Sequence, residues 1–136
     1  MPAGYSGTPL IKKLGVKPGI TMMTVHEPDY YFEMLGKLPP DVTILKSGED
    51  RKADFIHLFV ENEDTLHADF PPLKEKLARD GMLWVSWIKG SSKRGSDINS
   101  NDVRKLGLDL GLVDVKVCAV DKDWSGLKFM YRKEDR

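Results

Sequence analysis

The sequence predicts a three-layer α/β domain: an open, mostly parallel sheet with helices on both faces and an antiparallel hairpin at its C-terminal end. Three observations carry this. Strand-like segments alternate with helix-patterned ones, which demands right-handed crossover connections. Three strand-like runs, ITMMTV from Ile20, ADFIHLFV from Ala53 and MLWVSWI from Met82, are apolar almost throughout, as strands covered on both faces are. The last two segments, 113–120 and 127–132, alternate apolar and polar residues, the pattern of half-exposed strands at a sheet border.

Each element has its own signals. Thr8 is placed to cap a short helix with Pro9 at its first position, Gly15 just past its end, and Leu10, Ile11 and Leu14 on one face. Lys17-Pro18-Gly19 is a turn into the first strand, 20–26. Residues 28–36 form a short helix carrying Tyr31, Phe32 and Leu35, and Pro39-Pro40 force an extended exit into a second strand at 42–45. After the strand at 53–60, Leu66, Phe70, Leu73 and Leu77 make one apolar stripe along a helix spanning 62–79, which Pro71-Pro72 are expected to kink or split. Asp80-Gly81 turns into the strand at 82–88. The polar loop KGSSKRGSDI then leads to a helix from Asn99, with Asp102 completing a variant capping box, Val103, Leu106 and Leu110 facing inward, and Gly111 ending it. Residues 121–126 join the hairpin.

No repeat or linker divides the chain, so residues 1–136 are read as a single domain. A chain of this length buries roughly 70% of its unfolded surface and needs no metal or disulfide staple. Lys plus Arg equals Asp plus Glu at 21 each, which excludes a global field drawing the protein to nucleic acid or anionic lipid. The one cysteine, Cys118, excludes an internal disulfide and a cysteine-caged zinc. No apolar run reaches the roughly 20 residues of a membrane helix, and no signal-peptide core precedes Lys12. A cytoplasmic location is the resulting expectation.

The stretches GYSGTPLIKKLGVKPG, DGMLWVSWIKGSS and LGLVDVKVCAVDKDWSGLKF resemble an uncharacterised bacterial family of short proteins, catalogued as a domain of unknown function. That resemblance implies a shared fold and transfers no functional residue. From Ala53 onward the order of elements is similar to that of class I S-adenosylmethionine-dependent methyltransferases: strand, helix, a strand entered through Asp-Gly (LARDGMLWVS), helix, antiparallel hairpin. This implies a Rossmann-like sheet ordered second, first, third, fourth, last and penultimate. Two departures stand out. Methyltransferases of this class follow the first strand with a glycine-rich loop, whereas Thr24-Val25-His26-Glu27-Pro28-Asp29 holds no glycine; and one strand-helix unit is missing between Leu45 and Ala53.

In such a sheet ligands collect at the carboxyl ends of the strands, at the point where strand order reverses. That crevice falls between the first and third strands. Its candidate cofactor-binding residues are His26, Glu27, Glu61 and Asn62, with Asp29 and Asp64 on the rim. Residues 47–64 carry a local net charge of −4, which suits a cation or sugar hydroxyls better than a bare phosphate. Glu63 and Asp64 equally serve as complements to a helix N-terminus. His26 and Glu27 point to opposite faces if both belong to the strand. His57, in an apolar strand, reads as a hydrogen-bonded core histidine and His67 as a solvated one; no metal site is expected. Lys89, Ser91, Ser92, Lys93 and Arg94, in a glycine-bearing loop before a capped helix, form an anion-binding candidate or else a charged connection. Cys118 reads as an inert buried thiol, and Ser6, Ser86 and Ser125 lack a nucleophile elbow. Trp84 and Trp87 are expected on opposite faces of one strand, and Trp124 on a loop folded back over the core edge.

With no convergent catalytic set and no glycine loop, the expectation is a non-catalytic binding or interaction domain without cofactor. The alternative is an S-adenosylmethionine-dependent methyltransferase, or another small-molecule enzyme, with an atypical cofactor loop. The alternative requires an open crevice that Tyr30, Tyr31 and Phe32 leave unfilled. The exposed hairpin edge also allows a homo-oligomer.

Overall fold

Apolar side chains on alternate positions of β-strands face opposite ways, so strands without polar positions need cover on both sides. The computed structural model, which describes residues 9–46, 49–90 and 97–136, supplies that cover. Its elements are α1 (Leu10–Leu14), β1 (Thr21–Val25), α2 (Tyr31–Leu35), β2 (Thr43–Ile44), β3 (Ala53–Val60), α3 (Glu63–Lys76), β4 (Leu77–Ile88), α4 (Ser100–Asp109), β5 (Leu112–Ala119) and β6 (Trp124–Tyr131). The six-stranded sheet runs β2-β1-β3-β4-β6-β5. Pairs β1–β2, β1–β3 and β3–β4 are parallel, and β6 is antiparallel to both neighbours. The expected strand order and orientation are thus observed.

Two cores sandwich the sheet. On one face Leu66, Phe70 and Leu73 of α3 and Val103 of α4 pack on Ile56, Leu58, Leu83, Val85 and Phe129. On the other, Leu14 of α1 with Tyr31 and Leu35 of α2 cover Met22, Phe55, Phe59 and Trp84. Trp84 and Trp87 fall in opposite cores, as their odd spacing requires. Asn99 accepts from the amide of Asp102 while the Asp102 carboxylate accepts from the amide of Asn99, both at 3.0 Å, closing the expected capping box.

Several boundaries differ from expectation. Pro9 caps α1 rather than opening it, and Thr8 lies outside the described residues. The Pro71-Pro72 pair sits inside one continuous helix instead of splitting it. Phe70 and Leu73, buried on either side of the pair, hold both halves on the same sheet face. Neither proline has an N–H, so the Ala68 carbonyl loses both its i+3 and its i+4 donor. The helix stops at Lys76, and Leu77 already pairs with Ala53. The Asp80-Gly81 turn becomes an irregularity within β4. Gly81 is required there, since a Cβ would sit 2.8 Å from the Asp54 carbonyl oxygen. Trp124 opens β6 opposite Ile88 and is 3% exposed; it is a strand residue, not a loop tip.

Gly107 lies where α4 crosses β6. A Cβ at this position would fall 2.1 Å from Cε1 of the fully buried Phe129. Helix propensity favours Gly→Ala by about 1 kcal/mol. Overpacking opposes it by typically 1–3 kcal/mol, and a wholly enclosed ring has nowhere to swing. Packing wins, so Gly107→Ala is expected to lower stability by about 1–2 kcal/mol in urea unfolding. A stabilised variant would show that α4 stands further from the sheet.

Candidate functional site

The site grows from the carboxyl ends of β1 and β3. β1 stops at Val25, and His26 takes φ +58°, the left-handed region in which glycine is the usual residue. This turn costs a non-glycine residue roughly 1–2 kcal/mol. A cross-chain contact holds it: His26 Nε2 lies 2.7 Å from Asp69 Oδ2 on α3. The sharp turn also removes the expected divergence of His26 and Glu27. Both lie beyond the strand and both face the crevice.

Opposite, β3 ends at Val60 and leads through Glu61 to Asn62, whose side chain caps α3 by accepting from the Thr65 amide at 2.8 Å. Asp64 stands in the first turn of α3. Between these segments lies a cavity of about 670 Å³, within the size range of small-molecule sites. Its walls include His26, Glu27, Asp29, Glu61, Asn62 and Asp64, with Thr65, Ala68 and Asp69 along α3. Phe59 and Trp124 also line it, their rings edge to face at 4.9 Å. Trp124 is seated by the β5–β6 turn, where Asp121 Oδ1 accepts from the amides of Asp123 (2.7 Å) and Trp124 (2.9 Å). The Tyr30 hydroxyl donates to the other Asp121 oxygen at 2.9 Å. None of Tyr30, Tyr31 and Phe32 lines the cavity.

The charge is one-sided: among the described residues, five carboxylates and no lysine or arginine line the walls. Such a field attracts a cation and repels a bare phosphate. Among the described residues no group of three or more His, Cys, Asp or Glu is arranged to hold a metal ion.

Beside Phe59 runs a buried polar chain. His57 stacks on Phe59 at 4.3 Å, Tyr31 Oη lies 3.0 Å from its Nδ1, and Ser86 Oγ lies 2.7 Å from its Nε2. The hydroxyl of Tyr31 donating to Nδ1, with Nε2–H donating to Ser86, leaves no imidazole nitrogen unpaired. Complete burial holds the imidazole neutral, its pKa pushed down to about 3. Burial likewise raises the Tyr31 phenol, with the Glu27 charge adding to the effect. This core histidine is as expected, and His67 is exposed as expected.

The structure therefore brings His26, Glu27, Glu61 and Asn62 together with Asp29 and Asp64. Sequence reasoning missed Asp69, 43 residues from His26, and the aromatic pair Phe59–Trp124. One local signal for Asp69 existed: it lies one helical turn beyond Thr65, on the side of α3 that passes the strand ends. Of the anion-binding candidate, Ser91, Ser92, Lys93 and Arg94 lie outside the described residues. The amide of Lys89 donates to the Asp123 carbonyl at 2.8 Å. Cys118 is 6% exposed, and burial raises its thiol pKa.

This architecture, a parallel sheet finished by an antiparallel C-terminal strand pair with a crevice at the strand-order reversal, is the fold of S-adenosylmethionine-dependent methyltransferases. No family model matches the chain, and no curated protein matches it in sequence. Among solved structures, it is similar to an S-adenosylmethionine-dependent methyltransferase from Aquifex aeolicus (TM-score 0.52, 18% identity, 90% of this chain and 88% of that one). A TehB-like methyltransferase from Corynebacterium glutamicum superimposes with TM-score 0.57 at 10% identity, covering 96% of this chain and 91% of that one. Magnesium protoporphyrin IX methyltransferase from Synechocystis, solved with bound S-adenosylhomocysteine, gives 0.55 at 12% identity over 90% and 78%. The expectations of a non-catalytic role and of no cofactor find no support in these neighbours. Among the described residues, no helix is long and apolar enough to cross a membrane.

Proposed function

We propose that the acidic crevice binds S-adenosylmethionine and that the protein is a methyltransferase acting on a small molecule. The observation that carries this is the open, carboxylate-lined cavity at the strand-order reversal of a methyltransferase-type sheet. The residues fit the cationic half of the cofactor. Glu27, Asp29, Glu61 and Asp64 present negative charge to a sulfonium and an ammonium, and carboxylates also accept from ribose hydroxyls. The glycine-free loop withholds the usual close backbone approach, but His26 turns there in the left-handed region where glycine is the usual residue. Phe59 and Trp124, packed on each other and almost wholly buried, close the cavity beside the acids as apolar lining. When bound, the cofactor supplies a methyl group activated by the adjacent positive sulfur.

Calorimetric titration with S-adenosylmethionine and S-adenosylhomocysteine tests the reading. Both are expected to bind, the charged sulfonium form losing more affinity as salt is added. The double variant Glu61→Gln, Asp64→Asn should weaken S-adenosylmethionine by about tenfold, or about 1.4 kcal/mol. Absence of binding by either compound at millimolar concentration would overturn it.

A further inference from the structure

The sheet carries a second cavity, about 370 Å³, in the groove where α3 passes β1. Among the described residues no helix or strand lies between β2 and β3; from that connection Leu45 packs in the same core as Met23 of β1. Met23 and Val25 form one wall and Pro72 and Leu73 the other. The two ends differ. His26 and Asp69 close the end at the strand termini, and the same pair lines the acidic crevice, so the two cavities share a wall. Lys76 lies at the opposite end, seven residues along α3 from Asp69, which is about 10 Å of helix. Three strand residues from Met23 to His26 span about the same distance. The Lys76 ammonium has no hydrogen bond or ion pair with another described residue.

We propose that this slot binds an elongated apolar small molecule with an anionic group at Lys76 and a hydroxyl or amine against His26. The charge pattern argues for this occupant: apolar walls, one unpaired ammonium at the far end, one imidazole at the near end. The imidazole is oriented by Asp69 at Nε2, which leaves Nδ1 as the ring's second hydrogen-bonding site. Binding in the slot stands on its own geometry. Its role as the methyl acceptor rests on the reading of the crevice given above, since the shared wall brings a polar end at His26 next to that cavity.

The test is calorimetry on the full chain with ω-hydroxyoctanoate, octanoate and octanediol as probes. The hydroxy acid is expected to bind at least tenfold more tightly than the diol. Lys76→Met should reduce it to the level of the diol, and Val25→Phe, which fills the slot, should abolish binding of all three. In nuclear magnetic resonance spectra the hydroxy acid should shift the ring signals of His26 and leave those of the exposed His67 in place. Equal affinity for acid and diol, no effect of Lys76→Met, or no binding at all would overturn the proposal. Each variant is also titrated with S-adenosylmethionine, whose affinity Lys76→Met should leave unchanged. Loss of S-adenosylmethionine binding with intact, Lys76-dependent probe binding would sink the crevice reading alone, and the reverse pattern would sink the slot alone.

Discussion

Lowering the pH from 7 to 4 is expected to cost the folded state about 3 kcal/mol through His57 alone. In the native chain the imidazole is wholly enclosed, and it stays neutral down to about pH 3. In the unfolded chain it takes up a proton near its ordinary value of 6.5. Between those two values the unfolded state binds more protons, so stability is complete above about 6.5 and falls by about 1.4 kcal/mol per pH unit below it. The bonds to Tyr31 and Ser86 do not relieve the burden, because a protonated ring could no longer accept from the Tyr31 hydroxyl. Urea unfolding from pH 7 to 4 measures the slope. His57→Leu removes the titrating group and leaves two hydroxyls short of a partner, so it should start less stable yet depend less on pH across this range. Identical slopes for the two proteins would show that His57 already protonates in the native state.

Trp84→Ala is the second large effect, expected at about 3–5 kcal/mol. The side chain is fully buried at the centre of β4, and its indole N–H donates to the Leu14 carbonyl at 2.8 Å. That bond ties α1 to the sheet. A five-residue helix has no stability of its own, so α1 depends on such contacts and on the enclosure of Leu14. Alanine would leave both a cavity and a buried carbonyl without its donor. Trp84→Phe retains most of the packing and forfeits the bond, which places it near 1–2 kcal/mol. Chemical denaturation gives the magnitudes, and limited proteolysis at Lys12 and Lys13 reports whether α1 loosens first. Equal losses for alanine and phenylalanine would assign the whole effect to the hydrogen bond instead of to packing.

Much of the fold was legible because burial leaves a local record. The apolar run from Ala53 to Val60 announced a two-sided strand, and Phe55, His57 and Phe59 do face one core while Ile56, Leu58 and Val60 belong to the sheet's other side. The two last segments announced a border hairpin, and β5 is at the edge of the sheet, but their alternation did not mark its buried face: Val115 and Val117 are exposed and Cys118 is buried. The signals that misled were those of isolated residue types. Pro71-Pro72 spoke for a kink or a split, and the helix runs through them unsplit, with Phe70 and Leu73 buried on either side. Trp124 looked like a loop tip because Asp, Lys, Ser and Gly surround it, whereas the Asp121 turn closes early enough to bring it into β6.

By itself the sequence determined an open α/β sheet with helices on both faces, which follows from periodicity and the handedness of crossovers; the strand order and the place of the crevice came with its similarity to S-adenosylmethionine-dependent methyltransferases. Only the tertiary structure decided that His26 bends in the left-handed region and meets Asp69, that Phe59 and Trp124 meet in the wall of an open cavity, and that a second slot shares that wall. The physical reason is range. Periodicity records which side of an element is buried over a few residues, whereas a site is a set of side chains from distant segments whose separations are set by how whole elements pack.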